Sequence, residues 1–240
     1  MQLVLALRSA KIYACTHIIC KGDQTLMSPR QRIPAEDGNV RDRILKASRE
    51  IFGRYSFKAA STRMVAKQAG VEHPMIHYYF GSKEKLFETM AADMYAGFVG
   101  SMETWLVGLE RMSPHKGLAL FIDRMLDYTL ANPDALQIIA LNMVHIGGIE
   151  EIPGYRYITL HMAKTKRLLE HGLPLQGASR EIEMFIYCFY SQMITLIGAR
   201  SMHAQLLNMD PEGADYRAWV KEASLTLFLP WLKRLLVGEG

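Results

Sequence analysis

Apolar and polar positions between residues 61 and 89 follow the period of two short helices and the start of a third. Ser61 or Thr62 can cap the first helix, and Gly70 follows its last apolar residue, where a left-handed residue is favoured. In the second segment, Ile76 and Phe80 lie four positions apart and predict one buried face. Ser82 can cap the third helix. This spacing is typical of a helix-turn-helix unit.

The rest of the chain is predicted to form amphipathic helices separated by short breaks rich in Gly and Pro. Strand-like alternation is hard to find along the sequence. The predicted helices span residues 82–112, 113–132, 134–147, 155–171, 181–207 and 215–236. Together with a supporting helix and the two short helices, these make about nine, and the predicted fold class is all-α.

The stretch Gly70-Val71-Glu72-His73-Pro74, followed by Tyr78-Tyr79-Phe80 and Lys83-Glu84-Lys85-Leu86, resembles the TetR family of bacterial transcriptional repressors. The resemblance covers about residues 40–89 and includes Arg43-Ile44-Leu45-Lys46-Ala47 and Phe52 in the supporting helix. It implies an N-terminal three-helix DNA-binding domain at 39–88 and a helical effector-binding and dimerisation domain at 89–240. One departure is His77, because the family usually has Tyr at that position.

The resemblance also assigns candidate DNA contacts. The side chains expected to reach base edges are Arg63, His73, Met75 and His77. The side chains expected to contact phosphates are Thr62, Tyr78, Tyr79 and Lys83, assisted by the backbone amides that follow Ser82.

Charge is distributed unevenly along a chain of 240 residues whose formal net charge is +4. Residues 27–90 hold 12 basic and 7 acidic side chains, whereas residues 91–240 hold 13 basic and 16 acidic ones. A basic N-terminal module on a slightly acidic body is the distribution expected of a protein that meets DNA at one end.

The N-terminus carries two further expectations. An apolar run after Met1 has no basic residue before it and ends early at Arg8, which argues against an export signal. Met27 begins a segment like the usual start of such regulators, so residues 1–26 are hypothesised to be an upstream start-codon artefact or a disordered extension, and residues 1–38 are expected to lack order. Arg30 and Arg32 can reach a minor groove as a basic arm, with a plain disordered tail as the alternative.

The chain has three cysteines, Cys15, Cys20 and Cys188. They are too few for a disulfide framework and favour a reducing cytoplasm. A DNA-binding protein is expected to lie there close to the nucleoid.

The last two predicted helices are apolar on more than one side, which requires a covering surface. Ser191 and Gln192 interrupt the first of them, and its apolar run falls short of the roughly 18 residues that a membrane span needs. The predicted cover is a second copy of the chain, since the resemblance implies a four-helix dimer interface here. A monomeric core is the alternative. A homodimer also presents two recognition helices to a palindromic operator.

An effector site is expected between the DNA-binding helices and the dimer interface. Apolar, aromatic and methionine side chains at helical spacing favour a small hydrophobic ligand, although such residues often serve only as core. The candidate lining residues are Met102, Trp105, Phe121, Met125, Tyr128, Leu141, Met143, His145, Tyr157, His161, Phe189 and Met193.

Metal and enzyme chemistry are not expected. His73 and His77 have a spacing that can chelate a cation, as can His145 with Glu150 or Glu151, but the first pair faces DNA and the second spans a loop. The sequence has no glycine-rich phosphate loop, nucleophile elbow or paired-cysteine zinc motif. No cofactor is predicted.

The predicted function is therefore a dimeric repressor that leaves its operator when a small hydrophobic ligand binds. The alternatives are a constitutive DNA-binding dimer without an effector, and an activator.

Overall fold

The computed structural model describes residues 35–143 and 151–237, and the side chains of 39–142 and 151–236. Within these residues the chain is helical and contains no strand. The ten α-helices are α1 (Ala35–Arg54), α2 (Thr62–Ala69), α3 (His73–Phe80), α4 (Lys83–Trp105), α5 (Pro114–Ala131), α6 (Asp134–Met143), α7 (Arg156–Gly172), α8 (Ser179–Met193), α9 (Arg200–Leu206) and α10 (Ala214–Val237). The all-α prediction is confirmed, and the predicted count of about nine is one too low for these ranges.

Helix α4 ends earlier than predicted. A helix was expected to run to residue 112, but α4 stops at Trp105 and a short 3₁₀ turn, Leu109–Arg111, follows. Gly108 adopts a left-handed φ of 83°, which the helix cannot continue through. The guanidinium of Arg124 donates to the carbonyls of Trp105 and Val107, each at 2.8 Å, and so binds the end of the helix.

The single helix predicted over 181–207 is broken. A π-helical segment, Ile194–Gly198, separates α8 from α9, and the two parts are bent by 77°. The break lies where α6 crosses, because a Cβ atom on Gly198 would lie only 2.5 Å from the carbonyl oxygen of Leu136. Tertiary contact thus overrides an apolar pattern that continues through the segment.

The described side chains form two apolar cores. One lies among α1 to α4 and contains Phe52, Ile76 and Leu86. The other lies among α4 to α10. Helix α6 contributes to both, since Ile138 packs in the first core and Leu136 in the second.

Two sequence predictions lie outside the described residues. These are the expectations about residues 1–34, including the Met27 start, the basic arm and Cys15 with Cys20, and those about His145 and Glu150. The side chain of Met143 is likewise outside the described set. Among the described helices, none alone is long and apolar enough to cross a membrane, and only the bent pair Ser179–Gly198 with Arg200–Leu206 meets that length and composition together.

Candidate functional site

The two short helices are held by local caps and a tight turn. The Ser61 hydroxyl accepts a hydrogen bond of 3.3 Å from the Met64 amide at the start of α2. Gly70 ends α2 in the left-handed conformation, with φ of 64°. Helix α3 begins directly after Glu72, and Ile76 and Phe80 are buried under it. The opposite face of α3 is therefore directed outward on a rigid support.

Helix α3 and the first turn of α2 carry most of the residues predicted to contact DNA. On α3, Tyr78 is 74% exposed and His77 is exposed, and on α2 Arg63 is exposed too. Met75 and Tyr79 are half-buried, with the Tyr79 ring edge-on to Tyr78 at 5.0 Å. Exposed candidate contacts therefore lie on both short helices.

Hydrogen bonds orient both histidines on this face. An imidazole nitrogen of His73, Nε2, lies 2.9 Å from the Thr62 hydroxyl, which joins α3 to the start of α2. His77 Nδ1 lies 3.0 Å from the carbonyl oxygen of Gly81. A carbonyl can only accept, so Nδ1 carries the proton, and Nε2 of the neutral ring is left as an acceptor. This polarity suits the exocyclic amines of adenine and cytosine.

The N-terminus of α4 lies beside this face. The Ser82 hydroxyl accepts from the Lys85 amide at 3.2 Å. Hydrogen bonds from its own amide and from Ser82 lower the pKa of the Glu84 carboxyl, so that carboxylate occupies the helix N-terminus. The Lys83 ammonium lies 4.5 Å above the Phe57 ring centroid, and burial lowers its pKa. Lys85 is the exposed cation of this turn.

A cavity of about 290 Å³ lies within the second core, bounded by α4, α5, α7, α8, α10 and the turn between α4 and α5. Of the predicted lining residues, Met102, Phe121 and Phe189 line it. Most of the remaining wall is aliphatic, and the side chains that sequence reasoning missed are Leu106, Leu109, Leu118, Leu168, Leu169, Leu173, Phe185, Ile186, Leu232 and Leu236. No sequence signal separates these from ordinary core leucines.

The other predicted lining residues lie elsewhere in the body. Trp105, Met125 and Met193 are buried in the core, with the Trp105 ring 6.1 Å from that of Phe121. Leu141 is 40% exposed on α6. Tyr157 stacks near Tyr95 on α4, with ring centroids 5.3 Å apart, and Tyr128 packs beside Phe98 and Trp105.

His161 forms part of an aromatic cluster behind the cavity wall. Its ring lies edge-on to Phe98 at 4.9 Å and to Tyr190 at 4.6 Å. Neither ring nitrogen has a hydrogen-bond partner. Burial, and secondarily the charge of Lys164, lower the pKa of His161 to about 4, so the ring is neutral near pH 7.

Two elements connect the cavity with the DNA-binding unit. Helix α4 begins at the Ser82 turn and carries Met102, which lines the cavity. Helix α6 packs against α1 and the π segment, and the Asn142 side chain accepts a hydrogen bond of 3.0 Å from the Phe57 amide. An ion pair of 2.8 Å between Arg156 and Glu88 joins α7 to α4 near its start.

An exposed apolar surface lies on α8 and α10. Tyr187 is 66% exposed, Met184 is 50% exposed and Leu227 is 60% exposed. Cys188 is an exposed free thiol beside Tyr187. Exposed large apolar side chains on two neighbouring helices are typical of a surface that a partner covers.

The sequence offered only a few side chains as possible metal ligands, and metal binding was not expected. Among residues 39–142 and 151–236, no cluster of three or more His, Cys, Asp or Glu side chains is positioned to hold a metal ion. The His73 and His77 rings are edge-on at 5.1 Å, with one nitrogen of each already in the contacts described above.

The fold and this outward-facing α3 define a helix-turn-helix protein. The family model for bacterial regulatory proteins of the tetR family matches residues 44–90. The repressor NicS of Pseudomonas putida, named as an HTH-type transcriptional repressor, is 32% identical over 108 residues, which are 45% of this chain and 50% of NicS. The chain thus spans about half the length of the curated relatives it matches.

Solved structures share the fold over most of the chain. The fatty acid degradation regulator FadR of Bacillus halodurans has a TM-score of 0.60 at 16% identity, covering 87% of this chain and 98% of FadR. FadR of Bacillus subtilis, solved in complex with stearoyl-CoA, has a TM-score of 0.56 at 16% identity, covering 83% and 99%. The TetR-family match therefore covers the helix-turn-helix segment of this chain, and the named relatives are transcriptional regulators.

Proposed function

We propose that this protein is a homodimeric transcriptional repressor that binds a palindromic DNA operator through α3 and releases it when a small apolar ligand enters the α4–α10 body. The observation that carries the proposal is the outward face of α3, where His77 and Tyr78 are exposed on a capped and buried support, with Arg63 exposed in the first turn of α2. Such a function belongs in the cytoplasm, at the nucleoid.

DNA recognition combines two kinds of contact in this proposal. Arg63, His73, Met75 and His77 read base edges in the major groove, and His77 accepts from an exocyclic amine through Nε2. Thr62, Tyr78, Tyr79 and Lys83 contact phosphates. The Lys83 ammonium leaves the Phe57 ring to reach a phosphate, and the exposed Lys85 adds a further phosphate contact.

Dimerisation through α8 and α10 supports the palindromic operator. The exposed side chains of Met184, Tyr187 and Leu227 form the proposed contact surface. Burying them against a second copy removes apolar area from water, which favours association. Two-fold symmetry then presents two α3 helices to successive half-sites. Light scattering at micromolar concentration should give twice the chain mass of 27.3 kDa, and a monomer mass contradicts the dimer.

The effector site is the cavity of about 290 Å³. Its walls are mostly aliphatic and aromatic, which favours an apolar ligand. The stearoyl-CoA complex of Bacillus subtilis FadR indicates that this fold is compatible with a bound small molecule.

Coupling between the two sites runs through α4 and α6. A ligand that displaces Met102 tilts α4, which begins at the phosphate-binding turn, while α6 holds α1 through Ile138. A difference of about 1 to 3 kcal/mol in ligand affinity between the two conformations suffices for regulation.

Fluorescence anisotropy with DNA from upstream of the protein's own gene tests this function. We expect tight binding that resists a scrambled competitor duplex and weakens with salt. Equal displacement by scrambled DNA at every upstream fragment contradicts specific regulation.

The second candidate is a constitutive DNA-binding dimer or an activator. A screen for stabilising compounds distinguishes the constitutive dimer from the ligand-released repressor. A ligand that stabilises the protein and also lowers its affinity for the operator excludes a constitutive binder.

A further inference from the structure

The cavity in the α4–α10 body has one polar region set deep in its wall. Four lining side chains besides methionine carry polar atoms: Glu110 and Ser113 in the segment between α4 and α5, Thr165 on α7 and Tyr190 on α8. Thr165 is 7% exposed and Tyr190 is 8% exposed, so both hydroxyl groups are removed from bulk water.

Both buried hydroxyl groups lie within reach of the same weak acceptor. The Thr165 hydroxyl lies 3.5 Å from the Met102 sulfur, and the Tyr190 hydroxyl lies 3.8 Å from it. A thioether sulfur is a poor acceptor, and a buried donor without a good partner retains much of its desolvation penalty. The single proton of the Thr165 hydroxyl goes either to this sulfur or to the Tyr190 oxygen, whereas burial raises the pKa of the Tyr190 phenol, which remains a protonated donor with the sulfur as its acceptor.

The chemistry of the wall favours an uncharged ligand. Glu110 is the charged side chain of the lining, and its negative charge disfavours an anion. His161 lies behind Tyr190 and is neutral near pH 7. The nearby Lys164 ammonium is 2.6 Å from a carboxylate oxygen of Glu103. A ligand carboxylate would therefore find no cation in this wall to pair with it.

We propose that the cavity takes an uncharged, largely apolar molecule whose single carbonyl oxygen, as in a ketone or an ester, replaces the Met102 sulfur as acceptor for the Thr165 and Tyr190 hydroxyl groups. A volume of about 290 Å³ suits a molecule of about ten to fifteen non-hydrogen atoms, because one water occupies about 30 Å³. This inference rests on the proposed function and adds the class of effector to it.

Met102 gives the exchange a direct route to regulation. The side chain is unbranched and flexible, so it can turn aside when an oxygen takes its place. It lies in the last turn of α4, the same helix whose first turn follows Ser82 beside the recognition helix. The ligand oxygen thus acts on α4 itself, whereas a pure hydrocarbon fills the cavity without competing for the two donors.

Two probes of nearly equal shape test the proposal on the full-length protein. Butylbenzene and 1-phenylbutan-1-one differ by one carbonyl oxygen, and calorimetric titration measures the dissociation constant of each. We expect the ketone to bind about tenfold more tightly than the hydrocarbon, because one good buried hydrogen bond contributes about that factor.

The variant Thr165→Val with Tyr190→Phe should bring the two affinities within about twofold. Thr129→Val and Tyr216→Phe are matched controls, because those buried hydroxyls bond to the Met125 and Leu196 carbonyls away from the cavity. Both controls should keep the tenfold preference. If the double variant fails to fold, Met102→Leu decides instead: removing the sulfur takes away the acceptor of the Tyr190 hydroxyl, so the ketone preference should rise about threefold or more.

Each outcome of these titrations supports or overturns part of the proposal. Equal affinity of both probes for the wild-type protein overturns the carbonyl contact but leaves an apolar effector cavity. A preference that survives the double variant and does not change in Met102→Leu also overturns the contact. Binding of neither probe by a protein that still binds its operator in the anisotropy assay refutes both this proposal and the effector role of the cavity. If the probes bind as expected but the protein does not bind its operator, only the proposed function in DNA recognition is refuted.

Discussion

Replacement of His161 should change how the stability of the protein depends on pH. The folded-state pKa of about 4 lies below the ordinary value of 6.5, because the ring is buried and neither nitrogen has a partner. Between these two values the unfolded chain binds a proton that the folded chain does not. Stability is therefore full above about pH 6.5 and decreases as the pH is lowered towards 4. The difference of about 2.5 pKa units corresponds to about 3.5 kcal/mol in the free energy of unfolding over the whole range, at roughly 1.4 kcal/mol for each pKa unit.

The variant His161→Phe removes the titrating group and keeps a ring that can pack edge-on against Phe98 and Tyr190. Urea unfolding followed by circular dichroism at pH 7.5, 6, 5 and 4.5 measures the free energy of unfolding of both proteins. We expect the wild-type value to fall with decreasing pH by up to about 3 kcal/mol more than the variant value. His115→Gln is the control, since His115 is exposed, and its profile should follow the wild type. Parallel profiles for wild type and His161→Phe would show that His161 is not held neutral by burial.

Three further pairs of substitutions test the proposed interfaces and packing. Lys83→Ala should weaken the binding of specific and non-specific DNA about equally and reduce by about one the slope of log affinity against log salt concentration. His77→Tyr should instead change the preference among operator variants, and anisotropy measures both effects. A change of selectivity in Lys83→Ala with an unchanged salt slope would contradict these roles. Tyr187→Glu should give a monomer in light scattering, and Leu160→Glu on the exposed side of α7 should leave the dimer intact. Gly198→Ala should lower the free energy of unfolding by about 1 to 3 kcal/mol, because its Cβ would meet the Leu136 carbonyl, whereas Gly100→Ala, with nothing within 4 Å, should not destabilise.

The DNA-binding unit was predictable because its determinants are local. The Ser61 cap, the left-handed Gly70 and the Ile76 and Phe80 pair each act within a few residues, and the structure has the helices they predict. The Thr62 contact with His73 and the stacking of Lys83 on Phe57 join residues from different elements, so spacing alone did not indicate them.

The helix breaks and the cavity could not be predicted in full, because they depend on contacts between residues that are distant in the sequence. The apolar pattern continues through 194–198, and only the crossing of α6 at Leu136 explains why a π segment forms there. The end of α4 depends on Arg124, a residue 19 positions beyond Trp105. Met102, Phe121 and Phe189 were predicted in the cavity, but its many leucines were missed because a leucine beside a void and one in solid core have the same sequence pattern.

Helix α6 has a consequence for anyone who divides this protein into parts. Ile138 fills a place in the core among α1 to α4 although it lies nearly fifty residues beyond the end of the matched family segment at residue 90. A fragment cut after the recognition helices would leave that place empty and expose the apolar side chains around it. A chimaera that exchanges operator specificity with a relative should therefore keep α6 together with α1 to α4, or match its contact residues, even though α5 lies between them in the chain.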